Sequence, residues 1–130
     1  MHRNYLVIGS LFGALAVALG AFGAHALQKV TSDEIIIHGF QTAVQYQMYH
    51  SLVLLSVGIL AGKLAPQLIK WSGICFIAGI ILFSGSLYLL TFLKLGENDA
   101  VRFVGPVTPL GGLFFIAGWL LLLAAIVKKK

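Results

Sequence analysis

Charge is scarce in this sequence, and acidic charge scarcer still. Only 10% of its 130 residues are charged, and four of them are acidic. Soluble domains carry roughly 25% charged residues, so too little polar surface remains here to cover a water-soluble fold. Cysteine is nearly absent. The single Cys75 lies inside an apolar run. It cannot form an internal disulfide and reads as a small buried hydrophobe. No HExxH, CxxC or glycine-rich phosphate loop occurs, and no carboxylates are paired within an apolar run. The basic residues behind the formal net charge of +5 are few and separated by long apolar stretches. That pattern excludes a nucleic-acid surface. No linker or low-complexity segment interrupts the chain, which reads as one domain over residues 1–130.

Apolar sequence fills the rest. The hydrophobic set makes up 59% of the chain. It is gathered into four stretches, with spans expected at about residues 5–27, 42–62, 71–93 and 107–127. A helix needs about 20 residues to cross the hydrocarbon layer. The second stretch reaches that length only if the polar segment before it supplies the upper turns. The first stretch is longer than a secretory signal core and carries glycines at packing spacing, so it reads as a retained span. The fold class expected is an all-α integral membrane four-helix bundle, its second helix extended or preceded by an amphipathic interfacial segment.

The charges sort by loop. Arg3, Lys63, Lys70, Lys128, Lys129 and Lys130 fall on one side of a four-span arrangement, with no acid among them. Lys29, Lys94 and Arg102 fall on the other, with Asp33, Glu34, Glu97 and Asp99. Lysine and arginine favour the cytoplasmic side, so both termini are expected in the cytoplasm. Gly62 and Pro66 are expected to end the second helix. Gly105, Pro106 and Pro109 mark a broken entry into the last.

Small residues at helical spacing let two backbones approach closely in lipid. Gly9, Gly13, Gly20 and Gly23 form such a face on the first span, and Gly111 and Gly118 on the fourth. These are the expected packing positions.

The segment HGFQTAVQYQMYH, from His38 to His50, stands apart. Polar groups at bilayer depth need partners, and they mark candidate sites. Asp33 and Glu34 suit the start of a helix that carries it. On a helical wheel His38, Gln41, Thr42, Gln45 and Tyr49 share one face, Ser56 continues it, and Tyr46 and His50 flank it. Gln47 points the opposite way. The stripe is expected to face the bundle interior or a polar crevice, within reach of His25 and Tyr88. The candidate polar site is therefore His25, His38, Gln41, Gln45, Tyr46, Tyr49, His50, Ser56 and Tyr88.

Four chemistries are open to it. Glutamine and histidine can hydrogen-bond between helices as structural glue. The same groups can line a path or pocket for a proton, ion or small polar solute. A metal site would draw on His25, His38 and His50, but the last two lie about 18 Å apart along one helix and cannot share an ion within it. Catalysis would draw on Ser56 and His50, which lie nearly two turns apart and make a poor nucleophile–base pair. No catalytic residue, metal or cofactor is assigned, and enzymatic activity is disfavoured.

GAFGAHAL in the first span and FQTAVQYQMYHSL before the second, with FSGSLYLL and GPVTPLGGLFFIAGW later, resemble the signatures of the YwdK/YgdD-like family of small bacterial membrane proteins, a domain of unknown function. The motif positions are Gly20, Phe22, Gly23, His25 and Leu27; Phe40, Ala43, Gln45, Tyr46 and His50; Ser84, Gly85, Ser86 and Tyr88; and Gly105, Pro109, Gly111 and Gly112. The resemblance covers nearly the whole chain. It implies a four-span protein of the bacterial inner membrane without an established activity. The leading expectation is a structural module that contacts membrane lipids, a second copy of the chain (a homo-oligomer) or other membrane proteins. The alternative is a small channel or transporter component working through a His/Gln/Tyr-lined crevice.

Overall fold

The computed structural model describes residues 1–128; the Lys129 and Lys130 of the charge pattern lie outside the described residues. The described chain is all α-helical, with four long helices. α1 spans Arg3–Val30, α2 spans Glu34–Leu60 and α3 spans Pro66–Leu95. A single turn, Val101–Val104, precedes α4, Val107–Val127. α1, α3 and the Val101–Val127 segment are long and apolar enough to cross a membrane, with mean hydropathies of 2.1, 2.2 and 2.5. α2 is not among them, because its first half carries the polar segment.

Local chemistry sets the helix ends. Asp33 caps α2 by accepting the Ile35 amide at 2.9 Å, and Glu34 follows in the first turn, where the helix dipole favours an acid. Gly62, at φ 92°, supplies the left-handed residue that turns the chain after α2. Pro66 was expected to end a helix and instead opens one. At the first position of α3 its missing amide proton is no loss. α2 is one continuous helix of 27 residues, about 40 Å long, with no break at Gly39.

Successive long helices run antiparallel, and each hairpin has its own seam. In the first, Gly9 lies against the Ser51 carbonyl and Leu55, Gly13 against Ser51, Gly20 against Val44 and Gly23 against Phe40. In the second, Gly79 lies beneath Phe115 and Gly118 beneath Phe76. Gly111 rests on the backbone of Phe83 so closely that any Cβ would overlap it. Ser72 donates to the Gly118 carbonyl at 2.9 Å, and the Ser86 and Thr108 hydroxyls pair at 2.5 Å. The apolar core lies toward the terminal end, where Tyr5, Leu54, Val57, Phe76, Phe115 and Leu122 meet.

Two π-helical turns interrupt the regular helices, Gly23–Leu27 in α1 and Ile80–Ser84 in α3. Each inserts one residue and rotates the next turns of the helix about its axis. In α3 the π-helical turn lies where the helix packs on two neighbours. Ser72, Gly79 and Ser86 meet α4, Ser84 and Tyr88 reach α2, and Phe76 and Phe83 touch both.

Candidate functional site

α2 sets the geometry of the polar residues. Besides Ser51 and Gly58, its buried positions are Ile36, Phe40, Ala43, Gln47, His50, Leu54 and Val57, a series continued by the buried Ala61. They recur at alternating steps of four and three, the spacing of a helix that packs along a continuous seam. This seam is the face opposite the polar stripe. His38, Gln41, Gln45 and Ser56 are exposed, Thr42 is half-buried, and Tyr49 is 54% exposed. The expectation that the stripe faces the bundle interior is therefore corrected, whereas Gln41 and Gln45 do line an open-sided cavity of about 360 Å³ against Gly20 and Gly23 of α1. Polarity does not choose the interior face; the seam is chosen by its large apolar and small residues, which fit against α1 and α3.

Gln47, the residue left off the stripe, is the centre of the interior. It is 3% exposed. Its Nε2 donates to the Phe12 carbonyl of α1 at 2.8 Å, and its Oε1 accepts from the Tyr88 hydroxyl of α3 at 2.6 Å. One side chain thus ties three helices. Nearby, Ser84 donates from α3 to the Ala43 carbonyl of α2 at 2.7 Å, and Ser51 donates to the Gln47 carbonyl at 2.5 Å.

His50 is the other buried polar group of the original cluster, at 5% exposure. The Tyr46 carbonyl lies 2.7 Å from Nδ1, and the Trp119 Nε1 lies 3.2 Å from Nε2. A carbonyl only accepts and an indole N–H only donates. Nδ1 therefore carries the proton, Nε2 accepts, and the ring is neutral in this arrangement. It stacks on Phe115 with centroids 3.6 Å apart, and Tyr46 stacks on Phe83 at 4.6 Å. Phe76 and Trp119 close an aromatic cluster that joins α2, α3 and α4.

The structure brings together Tyr46 and His50, and it brings Tyr88 to Gln47 rather than to the stripe. His25, His38, Gln41 and Gln45 stand apart from them. They are exposed and make no side-chain hydrogen bond among the described residues. Ser56 donates to the Leu52 carbonyl one turn earlier, at 3.2 Å. No three His, Cys, Asp or Glu side chains are grouped to hold a metal ion among the described residues. Sequence reasoning passed over Gln47, Ser51, Ser72 and Trp119 as polar partners. The signal available for Gln47 was its place in the four-three repeat of α2.

The family model described as "Protein of unknown function (DUF423)" matches residues 19–112. The chain belongs to this family. The chain is 41% identical to the UPF0382 membrane protein YwdK of Bacillus subtilis over 127 residues, covering 97% of this chain and 98% of YwdK. It is 37% identical to the UPF0382 inner membrane protein YgdD of Escherichia coli K12 over 128 residues, 98% of this chain and 92% of YgdD. It is 40% identical to the UPF0382 membrane protein SAB0533 of Staphylococcus aureus over 126 residues, 97% of each. No solved structure matches the chain.

Proposed function

We propose that the protein is a four-span membrane module with both termini in the cytoplasm, and that the outward stripe of α2 is where it meets a second copy of itself. The relatives are named membrane proteins, and three helices here meet the length and hydropathy of a span. α2 is antiparallel to its neighbours and as long as they are, so it crosses with them despite its polar content. Arg3, Lys63, Lys70 and Lys128 then share the cytoplasmic side.

The observation that carries the reading is the pair Gln41 and Gln45. Counted from Gln47, at the midpoint of α2, they lie about 9 Å and 3 Å along the axis. Both are exposed. An amide facing lipid at that depth leaves strong donors and acceptors without water. A glutamine amide both donates and accepts, so the stripe complements itself. A two-fold axis along the membrane normal sets Gln45 opposite its own copy. A conduit within one chain has less support, because Gln47 and His50 already spend hydrogen bonds on neighbouring helices.

Native mass spectrometry from lipid nanodiscs tests this. Wild-type protein is expected to appear as a dimer, and the Gln41→Leu/Gln45→Leu double variant as a folded monomer. A wild type that is monomeric at every protein-to-lipid ratio overturns the reading. A wild type that instead co-purifies with a different membrane protein on the same face replaces the second copy with that partner.

A further inference from the structure

α1 and α3 touch at both ends of their shared length. At one end the Tyr5 hydroxyl donates to the Lys70 carbonyl at 2.7 Å, and at the other Phe22 lies 6.4 Å from Phe92 between ring centroids. Between these contacts an open-sided cavity of about 310 Å³ remains. Small-molecule sites begin at roughly 300 Å³. Phe12 and Leu15 line it from α1, Ile81 and Gly85 from α3, and Gln47 and Tyr88 from its floor. The Ile80–Ser84 π-helical turn forms part of its wall. Such turns recur at functional sites.

The floor has hydrogen-bonding capacity to spare. The Gln47 amide has two N–H donors and two acceptor positions. One N–H is given to Phe12 and one acceptor position to Tyr88, and the second N–H has no partner among the described residues. Orphaned buried N–H groups are rarer in folded proteins than under-used carbonyl oxygens. The missing complement is thus an acceptor, presented by a molecule apolar enough to lie in the groove.

We infer that this groove binds a neutral, membrane-soluble carbonyl compound of the quinone type, its oxygen accepting from the Gln47 amide beside Tyr88. Its apolar body lies against Leu15 and Ile81. A saturated acyl chain fits the walls but offers Gln47 nothing, and a charged headgroup meets no counter-charge there. The site does not depend on the outward stripe of α2, which lies on the opposite face of that helix, so the two readings fail separately.

The test uses full-length protein in phosphatidylcholine nanodiscs, with a decyl-tailed benzoquinone as probe and decylbenzene as the oxygen-free control. Probe retained above that in empty nanodiscs is measured by mass spectrometry. The wild type is expected to bind the quinone saturably and decylbenzene no better than empty nanodiscs. Gly85→Leu is expected to weaken quinone binding by about tenfold or more. A Cβ at Gly85 meets nothing within 4 Å, so the added side chain enters the groove without displacing a neighbour. Gln47→Leu keeps the volume and removes the donor, and it is expected to weaken binding by about fivefold, the worth of one hydrogen bond. Quinone retention no greater than in empty nanodiscs overturns the proposal. So does equal binding of decylbenzene, which would assign the groove to bulk lipid. If Gly85→Leu does not fold, the decision rests on Gln47→Leu, and wild-type affinity in that variant sinks the idea.

Discussion

The two faces of α2 carry similar side chains and treat them differently. On the inner face, Gln47 and His50 are buried, and each hydrogen-bonds to another helix. On the outer face, Gln41 and Gln45 are exposed without a side-chain hydrogen bond among the described residues. The same amide is therefore a strut at one position and an unmet demand two residues away. Residue type alone does not separate these roles. Position in the four-three seam does, because the seam decides which groups reach a neighbouring helix.

This contrast can be broken by substitution. The largest loss is expected for His50→Ala. It removes a ring stacked on Phe115 and strands the Trp119 N–H. Unfolding free energy in detergent micelles should fall by about 3 kcal/mol. Gln47→Leu keeps the volume but strands the Tyr88 hydroxyl, and a loss of about 1–2 kcal/mol is expected in the same measurement. Gln45→Leu should change the stability of the monomer by less than about 0.5 kcal/mol, since it breaks no side-chain hydrogen bond among the described residues. If Gln45→Leu destabilises the monomer as much as Gln47→Leu, the two faces are not different in kind.

Much of this architecture was legible in the sequence. The apolar runs mark three of the long helices, Asp33 and Glu34 mark the start of α2, and Gly105 and Pro106 mark the break before α4. Glycine spacing on α1 and α4 points to the faces that lie against α2 and α3. The interior of α2 was misread because a wheel sorts residues by polarity. In lipid that sorting does not say which side is inside, since apolar side chains suit both neighbours and solvent. The Ile36–Phe40–Ala43–Gln47–His50–Leu54–Val57–Ala61 repeat carries that information, with polar residues as members. The π-helical turn at Ile80–Ser84 left no comparable trace. It lies where α3 packs on α4 and α2 at once, through Phe83 and Ser84, a setting that exists only in the assembled fold. The Trp119–His50 bond joins residues 69 positions apart, beyond any local pattern.

Disulfide cross-linking in native membranes separates an outward stripe of α2 that is a contact surface from inward polar groups that are internal struts. Single cysteines are placed at Gln41, Gln45, Leu15 and Leu113 in a Cys75→Ala background. All four positions are exposed. Dimer-sized cross-links at Gln41→Cys and Gln45→Cys, with none at Leu15→Cys or Leu113→Cys, are the predicted result. Cross-links of equal yield at all four positions, or none at the two glutamine positions, would contradict it.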